Sequence, residues 1–283
     1  MRKIIITFCL LMICGGVWAQ VPSKSINSVS LVFGGGYHAL AYKLGDYGNK
    51  KDGFGFQVKL GYSHFFNPKV GVSTGLMSVN FKSTATLNYM QTIDKAVDED
   101  NNLYTHRTYF HSLGECQKQN LLVVPVEFVY RQAFNRRTEL WLGVGLFGGF
   151  AVKNKFSTDD GDLETRRYYI EQNLEVYGDY PQHHLYTESG FSGKSYSKVV
   201  VGGIFEPNLI IRLAPNVDLR CGLYVLYSFT QQNKSTKDPL YNPDCMASTA
   251  YKSTKYNGVF NSSISGKTHP MAMGGYVGVG YRW

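Results

Sequence analysis

Cysteine is scarce in this chain, and charge is thin. Of 283 residues only 5 are cysteine and 9 are proline, and 18% are charged. Cys9 and Cys14 belong to the N-terminal segment, which leaves Cys116, Cys221 and Cys245. These three have no CxxC and no metal-ligand spacing, which argues against a metal or redox framework. Beyond Gln20 no apolar run is long enough for a transmembrane helix, which needs roughly 18 residues. The mean hydropathy of −0.21 is that of a soluble protein. Setting Arg2 and Lys3 aside leaves a modest excess of basic over acidic residues, scattered along the chain, so nucleic acid is not an expected partner. There is no internal repeat, no low-complexity linker and no second soluble domain.

What is present begins with an export signal. Arg2 and Lys3 precede an apolar run from Ile4 to Ile13, and Val17-Trp18-Ala19 fits a peptidase site. Residues 1–19 are therefore expected to be a signal peptide and 20–283 the mature domain. The run is too short for a spanning anchor. The bulky Ile13 before Cys14 argues against a lipid anchor there.

The mature chain is rich in glycine (30 residues) and tyrosine (21), and it reads as alternating strands. The last seven residues set Val277, Val279, Tyr281 and Trp283 on one side and Gly278, Gly280 and Arg282 on the other. Side chains in a strand alternate faces, so this is one apolar and one small or polar face. Seven more segments read the same way, at about 28–42, 54–66, 70–81, 121–134, 139–152, 198–213 and 217–229. Pro125 and Pro207 predict bulges or rim positions, and a bulge is expected near Ser78–Phe81, where the apolar phase is lost. Short links at Asn67-Pro68-Lys69, Asn135–Thr138 and Pro215-Asn216 alternate with long ones at about 43–53, 91–120, 154–197 and 232–270. The pattern predicts an all-β fold: an eight-stranded antiparallel up-and-down transmembrane β-barrel with long external loops and both ends on the periplasmic side. Lipid is then the partner of the apolar face. A secreted lipocalin-like barrel is the soluble alternative, with its apolar residues turned inward around a ligand.

In this phasing Lys59, Glu127, Arg131, Glu206, Arg212, Asp218, Arg220 and Arg282 face the lumen. An eight-stranded barrel is only wide enough for side chains to fill, so these charges are expected to pair in a plug. The competing expectation is a narrow gated channel lined by Arg131, Arg212, Arg220 and Arg282.

The signal peptide, eight strands, three short turns and terminal aromatic strand resemble small outer-membrane barrels of the OmpA/OmpX type. The resemblance spans the mature chain and is architectural. It implies an outer-membrane location. Tyr281-Arg282-Trp283 resembles the C-terminal signal read by barrel-insertion machinery, which makes that machinery an expected partner during assembly. The chain departs from the full OmpA pattern by ending with this strand, without a peptidoglycan-binding domain.

The external connections carry the remaining candidates. Tyr168, Tyr169, Tyr177, Tyr180 and Tyr186 supply contact area for an unidentified external ligand or partner, or else pack as strand extensions. The third connection is net acidic and the fourth net basic, which predicts mutual attraction. Cys116 and Cys245 are expected in outer loops, where a disulfide could join them, and Cys221 on an apolar strand face. His111, Ser112 and Glu115 have the residue types of a hydrolase triad without its flanking signature. His106, His183 and His184 are the other loop histidines, and Asp98–Asp100 is too incomplete for a calcium loop. The expectation is a non-enzymatic surface protein, without cofactor or metal, serving adhesion, binding or envelope integrity.

Overall fold

The computed structural model describes residues 26–98, 100–178, 187–233, 238–242 and 256–283. Residues 1–19, expected to be a signal peptide, and Glu99, Tyr180, His183, His184, Tyr186 and Cys245 lie outside these residues. The fold is an antiparallel β-sheet, with no α-helix among the described residues. Its strands are β1 (Ile26–Ala41), β2 (Gly48–Phe65), β3 (Val70–Leu87), β4 (Met90–Val97), β5 (Leu103–Ala133) and β6 (Thr138–Tyr169), followed by β7 (Leu174–Val176), β8 (Thr187–Glu188), β9 (Ser192–Lys194), β10 (Val200–Arg212), β11 (Val217–Ser228) and β12 (His269–Arg282). Hydrogen-bonded neighbours follow the path β1–β2–β3–β5–β6–β10–β11–β12, and β12 pairs with β1, so the path closes on itself. The short β4, β7, β8 and β9 pair only with β5 or β6.

Two of the tight turns share one device. The Asn67 side chain accepts from the backbone N–H of Lys69 and Val70, at 2.9 and 2.8 Å. Asn135 does the same for Arg137 and Thr138, both at 2.8 Å. An asparagine that bonds its own backbone two and three residues on fixes the reversal and thereby the register of the hairpin.

Along the lower half of the ring the outward face is apolar and open. Phe33, Phe56, Leu60, Val126, Phe128, Val144, Leu146, Leu223, Val277 and Val279 are all exposed there. The inward positions of the same strands are Ser28, Ser30, Lys59, Glu127, Arg131, Glu139, Glu206, Asp218, Arg220 and Arg282, all buried. This is the reverse of a water-soluble domain.

Higher up, the two faces exchange character. On β3 the inward residues become Met77, Val79, Phe81, Ala85 and Leu87, while Lys82 faces out. Alternation continues unbroken through Ser78–Phe81, so the bulge expected there is absent. The apolar residues change sides where the interior gains a core of its own. That core takes in Phe110, Leu113, Phe156 and Leu163 from β5 and β6 and Leu40 from β1. The fourth connection fills its centre with Leu240, Tyr241, Tyr256, Val259, Phe260 and Ile264.

The same exchange hides strands inside the long connections. The second and third, expected as loops over 91–120 and 154–197, are largely ladder, with β5 and β6 paired from Ala133–Glu139 up to Thr105–Tyr168. Neither proline shifts register. Around Pro125 the pairs Thr74–Val126 and Met77–Val123 keep one frame, as do Phe205–Val225 and Asn208–Gly222 around Pro207. Each proline removes a ladder donor and nothing more. True register shifts fall between Asp52 and Gln57 on β2, between Ile93 and Ala96 on β4, and on β5 between His111 and Glu115 and between Asn120 and Leu121.

Candidate functional site

Strand alternation turns the lumen charges inward, and the structure brings Lys59, Glu127 and Glu206 together as one cluster. Lys59 Nζ donates to Glu127 Oε1 and Glu206 Oε2, both at 2.6 Å. The remaining five gather in a second cluster around a residue that is not among the sequence candidates, Glu139. Its carboxylate accepts from Arg131 Nε and Nη2 at 2.9 and 2.8 Å, from Arg212 Nη2 at 3.0 Å and from Arg282 Nη1 at 3.1 Å. Trp141 Nε1 also donates to it, at 3.0 Å. Asp218 pairs with Arg220 Nε at 3.0 Å and with Arg282 Nη2 at 2.8 Å. Arg220 reaches over β12 to Ser28 on β1 and stands over the Trp141 ring at 4.8 Å. Arg212 is half-buried near the turn, while the other seven predicted lumen residues are buried. The signal that finds Glu139 is present in the sequence, since Leu140 beside it faces out. The space around the Lys59 cluster is a cavity of about 30 Å³, on the order of one or two waters.

A third polar cluster lies above the apolar band, where β5 meets the fourth connection. The Glu115 carboxylate is fully buried and accepts from Tyr256 Oη at 2.6 Å and from Val259 N at 2.9 and 3.0 Å. Gln117 also donates to it. Burial pushes the Glu115 carboxyl up to about 7, against the opposing pull of these donors. Tyr256 stacks on Phe191 at 4.7 Å, and Phe260 meets Tyr42 edge-on at 5.3 Å. The fourth connection is thus tied into the interior by one carboxylate and an aromatic cluster.

The candidate hydrolase triad does not converge. Glu115 is turned inward to Tyr256, while His111 is exposed and contacts Glu164 Oε2 at 3.3 Å. Ser112 occupies left-handed backbone, φ 51°, at a register shift of β5. His106 is buried and stacks at 6.4 Å on Tyr241. Asp98 folds its carboxylate onto the backbone N–H of Asp100 and Asn102, at 2.9 and 2.7 Å.

Cys116 is not in a loop. It sits on β5, buried and free, opposite Ser157 on β6. Cys221 is a free, partly covered thiol on the outward face of β11.

The tyrosines expected as loop contacts divide. Tyr168 and Tyr169 lie on β6: Arg107 stands 3.9 Å over the Tyr168 ring, and Tyr169 Oη donates to Asp98 Oδ2 at 3.0 Å. Tyr177 is exposed just after β7, while Leu103, Ile170 and Leu174 are exposed at the end of the β5–β6 ladder farthest from the Asn135 turn. Two of the acidic residues expected to draw the fourth connection, Glu164 and Glu175, find cations on β5 and β6 instead. Glu164 pairs with Arg166 at 2.9 Å, and Glu175 with Arg107 at 2.9 Å and Arg166 at 3.3 Å. Arg166 beside Glu164 holds that carboxyl below the usual range. Lys234, Lys237, Lys252 and Lys255 of the fourth connection lie outside the described residues.

No family model matches the chain, and no curated protein matches it. Among solved structures it is similar to small outer-membrane β-barrels. One is Ail, the attachment invasion locus protein of Yersinia pestis, in complex with the heparin analogue sucrose octasulfate: 12% identity, 92% of this chain and 100% of that one covered, TM-score 0.34. Another is Neisserial surface protein A, with 11% identity, 92% and 99% covered, and TM-score 0.38. A third is a major outer membrane protein from Thermus thermophilus, with 12% identity, 92% and 100% covered, and TM-score 0.37.

Proposed function

We propose that the closed sheet is an eight-stranded up-and-down transmembrane barrel of an outer membrane, exported by residues 1–19. It acts through its external surface rather than as a conduit or an enzyme. The observation that carries this reading is the band of exposed apolar side chains on the ring strands around a buried charged interior. Soluble monomers rarely expose apolar patches beyond a few hundred Å², and the same arrangement argues against a lipocalin-like barrel. Tyr281 and Trp283 are exposed on the last strand, as a signal for insertion machinery requires.

The lumen supports a plug. The arginines that would line a channel are paired with Glu139 and Asp218, and the upper interior is packed with aromatic and aliphatic side chains. Above the band β6 continues from Val152 to Tyr169, roughly 55 Å of ladder at 3.3 Å per residue. Around its upper end lie the exposed Leu103 of β5, Ile170, and Leu174 and Tyr177 on and after β7. That tip is the surface suited to adhesion or partner binding.

Deleting residues 170–188 should leave membrane insertion intact and abolish attachment to cells or matrix. Attachment unchanged by the deletion would count against the surface-binding role. Steady single-channel currents from folded protein in planar bilayers would establish the channel instead.

A further inference from the structure

Lys118, Lys155 and Lys194 stand in a row across three neighbouring strands. The ladders set Lys118 opposite Lys155 and Lys155 opposite Lys194, which places their Cβ atoms roughly 5 Å apart. Lys153 lies next to the row, opposite Asn120. All four are exposed and line one outward cavity of about 460 Å³ together with Ser157 and Ser192. None has a carboxylate partner among the described residues. The nearby Asp159 takes a hydrogen bond from Ser157 instead.

Like charges directly opposite each other weaken a ladder, so this arrangement calls for a counter-charge from outside the chain. Its height indicates where that charge sits. Lys153 follows Phe150 and Val152, which are 51% and 64% exposed, and Lys118 shares its face with Val124 and Val126. The row therefore begins where the outward apolar band stops. A second basic cavity, with Lys43, Lys50 and Lys267, is partly neutralised, because Lys50 is paired with Asp52 at 2.7 Å.

We propose that Lys118, Lys153, Lys155 and Lys194 form a binding site for the phosphate groups of a phosphorylated lipid headgroup in the outer leaflet. This rests on the reading that the apolar band faces lipid. A lipid whose chains lie against Val124, Val126, Phe150 and Val152 places its phosphate at the level of the lysine row. Four flexible ammonium groups around one cavity suit a doubly charged tetrahedral oxyanion, and Ser192 adds a neutral donor.

The test uses the full chain folded into phosphatidylcholine vesicles, with lipid A or dephosphorylated lipid A added. The readout is the temperature at which the folded gel band is lost. Lipid A should raise that temperature in the wild type, and the dephosphorylated lipid should not. The K118Q/K153Q/K155Q/K194Q variant should bind lipid A more weakly, on the order of a thousandfold, at about fivefold per lysine. Its fold should survive, since the substitutions remove repulsion. K155E alone places opposite charges across both ladders, so it should stabilise the protein without lipid and abolish the lipid A response.

An equal response to both lipids, or an unchanged response in the variants, would overturn the site. A shift of the same size with inorganic phosphate alone would overturn the lipid as its source. Preferential binding of a sulfated polysaccharide would overturn the lipid site and assign the row to a glycan. A wild type with no heat-sensitive folded band before any lipid A is added contradicts the barrel reading itself, so the two failures are separable.

Discussion

The Tyr256 hydroxyl donates to Glu115 Oε2 at 2.6 Å, joining residues 141 apart in sequence. That bond, with Val259 N, fixes the fourth connection inside the upper sheet. Glu115 has an ordinary carboxyl value near 4.5, raised to about 7 in the folded protein by burial. Between these two values the folded state binds more protons than the unfolded one, so stability falls as pH rises. The contribution is complete below about 4.5 and is lost as pH passes about 7. It amounts to a few kcal/mol at most, at about 1.4 kcal/mol per pH unit of displacement. Hydrogen-exchange protection factors at 259–264, with the intrinsic base-catalysed rate divided out, should be higher at pH 5 than at pH 8, and E115Q should flatten this dependence. Equal protection at both pH values in the wild type would contradict it.

Glu139 holds the lower cluster. Replacing it with alanine strips Arg131, Arg212 and Arg282 of a shared partner. Removing one partner of a buried pair costs about 3–5 kcal/mol, so Glu139→Ala should lower the urea midpoint of the folded protein in vesicles by that equivalent. Glu139→Gln keeps an acceptor and should fall between the two. A midpoint for Glu139→Ala within error of the wild type would show that the cluster is incidental.

Gly280 is required for closeness rather than for backbone freedom. A Cβ there meets the Asp218 carboxylate and Arg220, with Arg220 Nη2 at 2.7 Å. Gly280→Val should therefore displace the Asp218–Arg220 pair and lower the yield of the folded form. Gly275, also on β12, has its nearest atom at 3.6 Å, so Gly275→Ala should fold normally. Equal folding yields for the two variants would contradict this account of the packing.

The lower half of the molecule is legible in the sequence because there both faces follow one rule, apolar outside and polar within. Phase alone identifies Lys59, Glu127, Arg131, Glu206, Asp218, Arg220 and Arg282, and all are buried. Above residues such as Asn120 and Lys153 the rule inverts. Phe81, Leu113 and Phe156 turn inward, where the pattern of the lower strands puts apolar residues outside. Strands obeying the inverted rule therefore resemble loop. Glu115 stands out in the sequence only as a catalytic candidate, because its partners, Tyr256 and Val259, lie in a distant connection without periodicity. Only tertiary packing brings them together.

A lipid-facing closed barrel can be recognised by gel mobility of the protein from an outer-membrane fraction, unheated and boiled. A sheet whose ladder closes on itself around a paired charged core resists detergent until heated, so the unheated sample should migrate as a distinct band that boiling abolishes. Recovery of the protein as a soluble periplasmic or secreted species, with a single mobility in both lanes, would contradict the account.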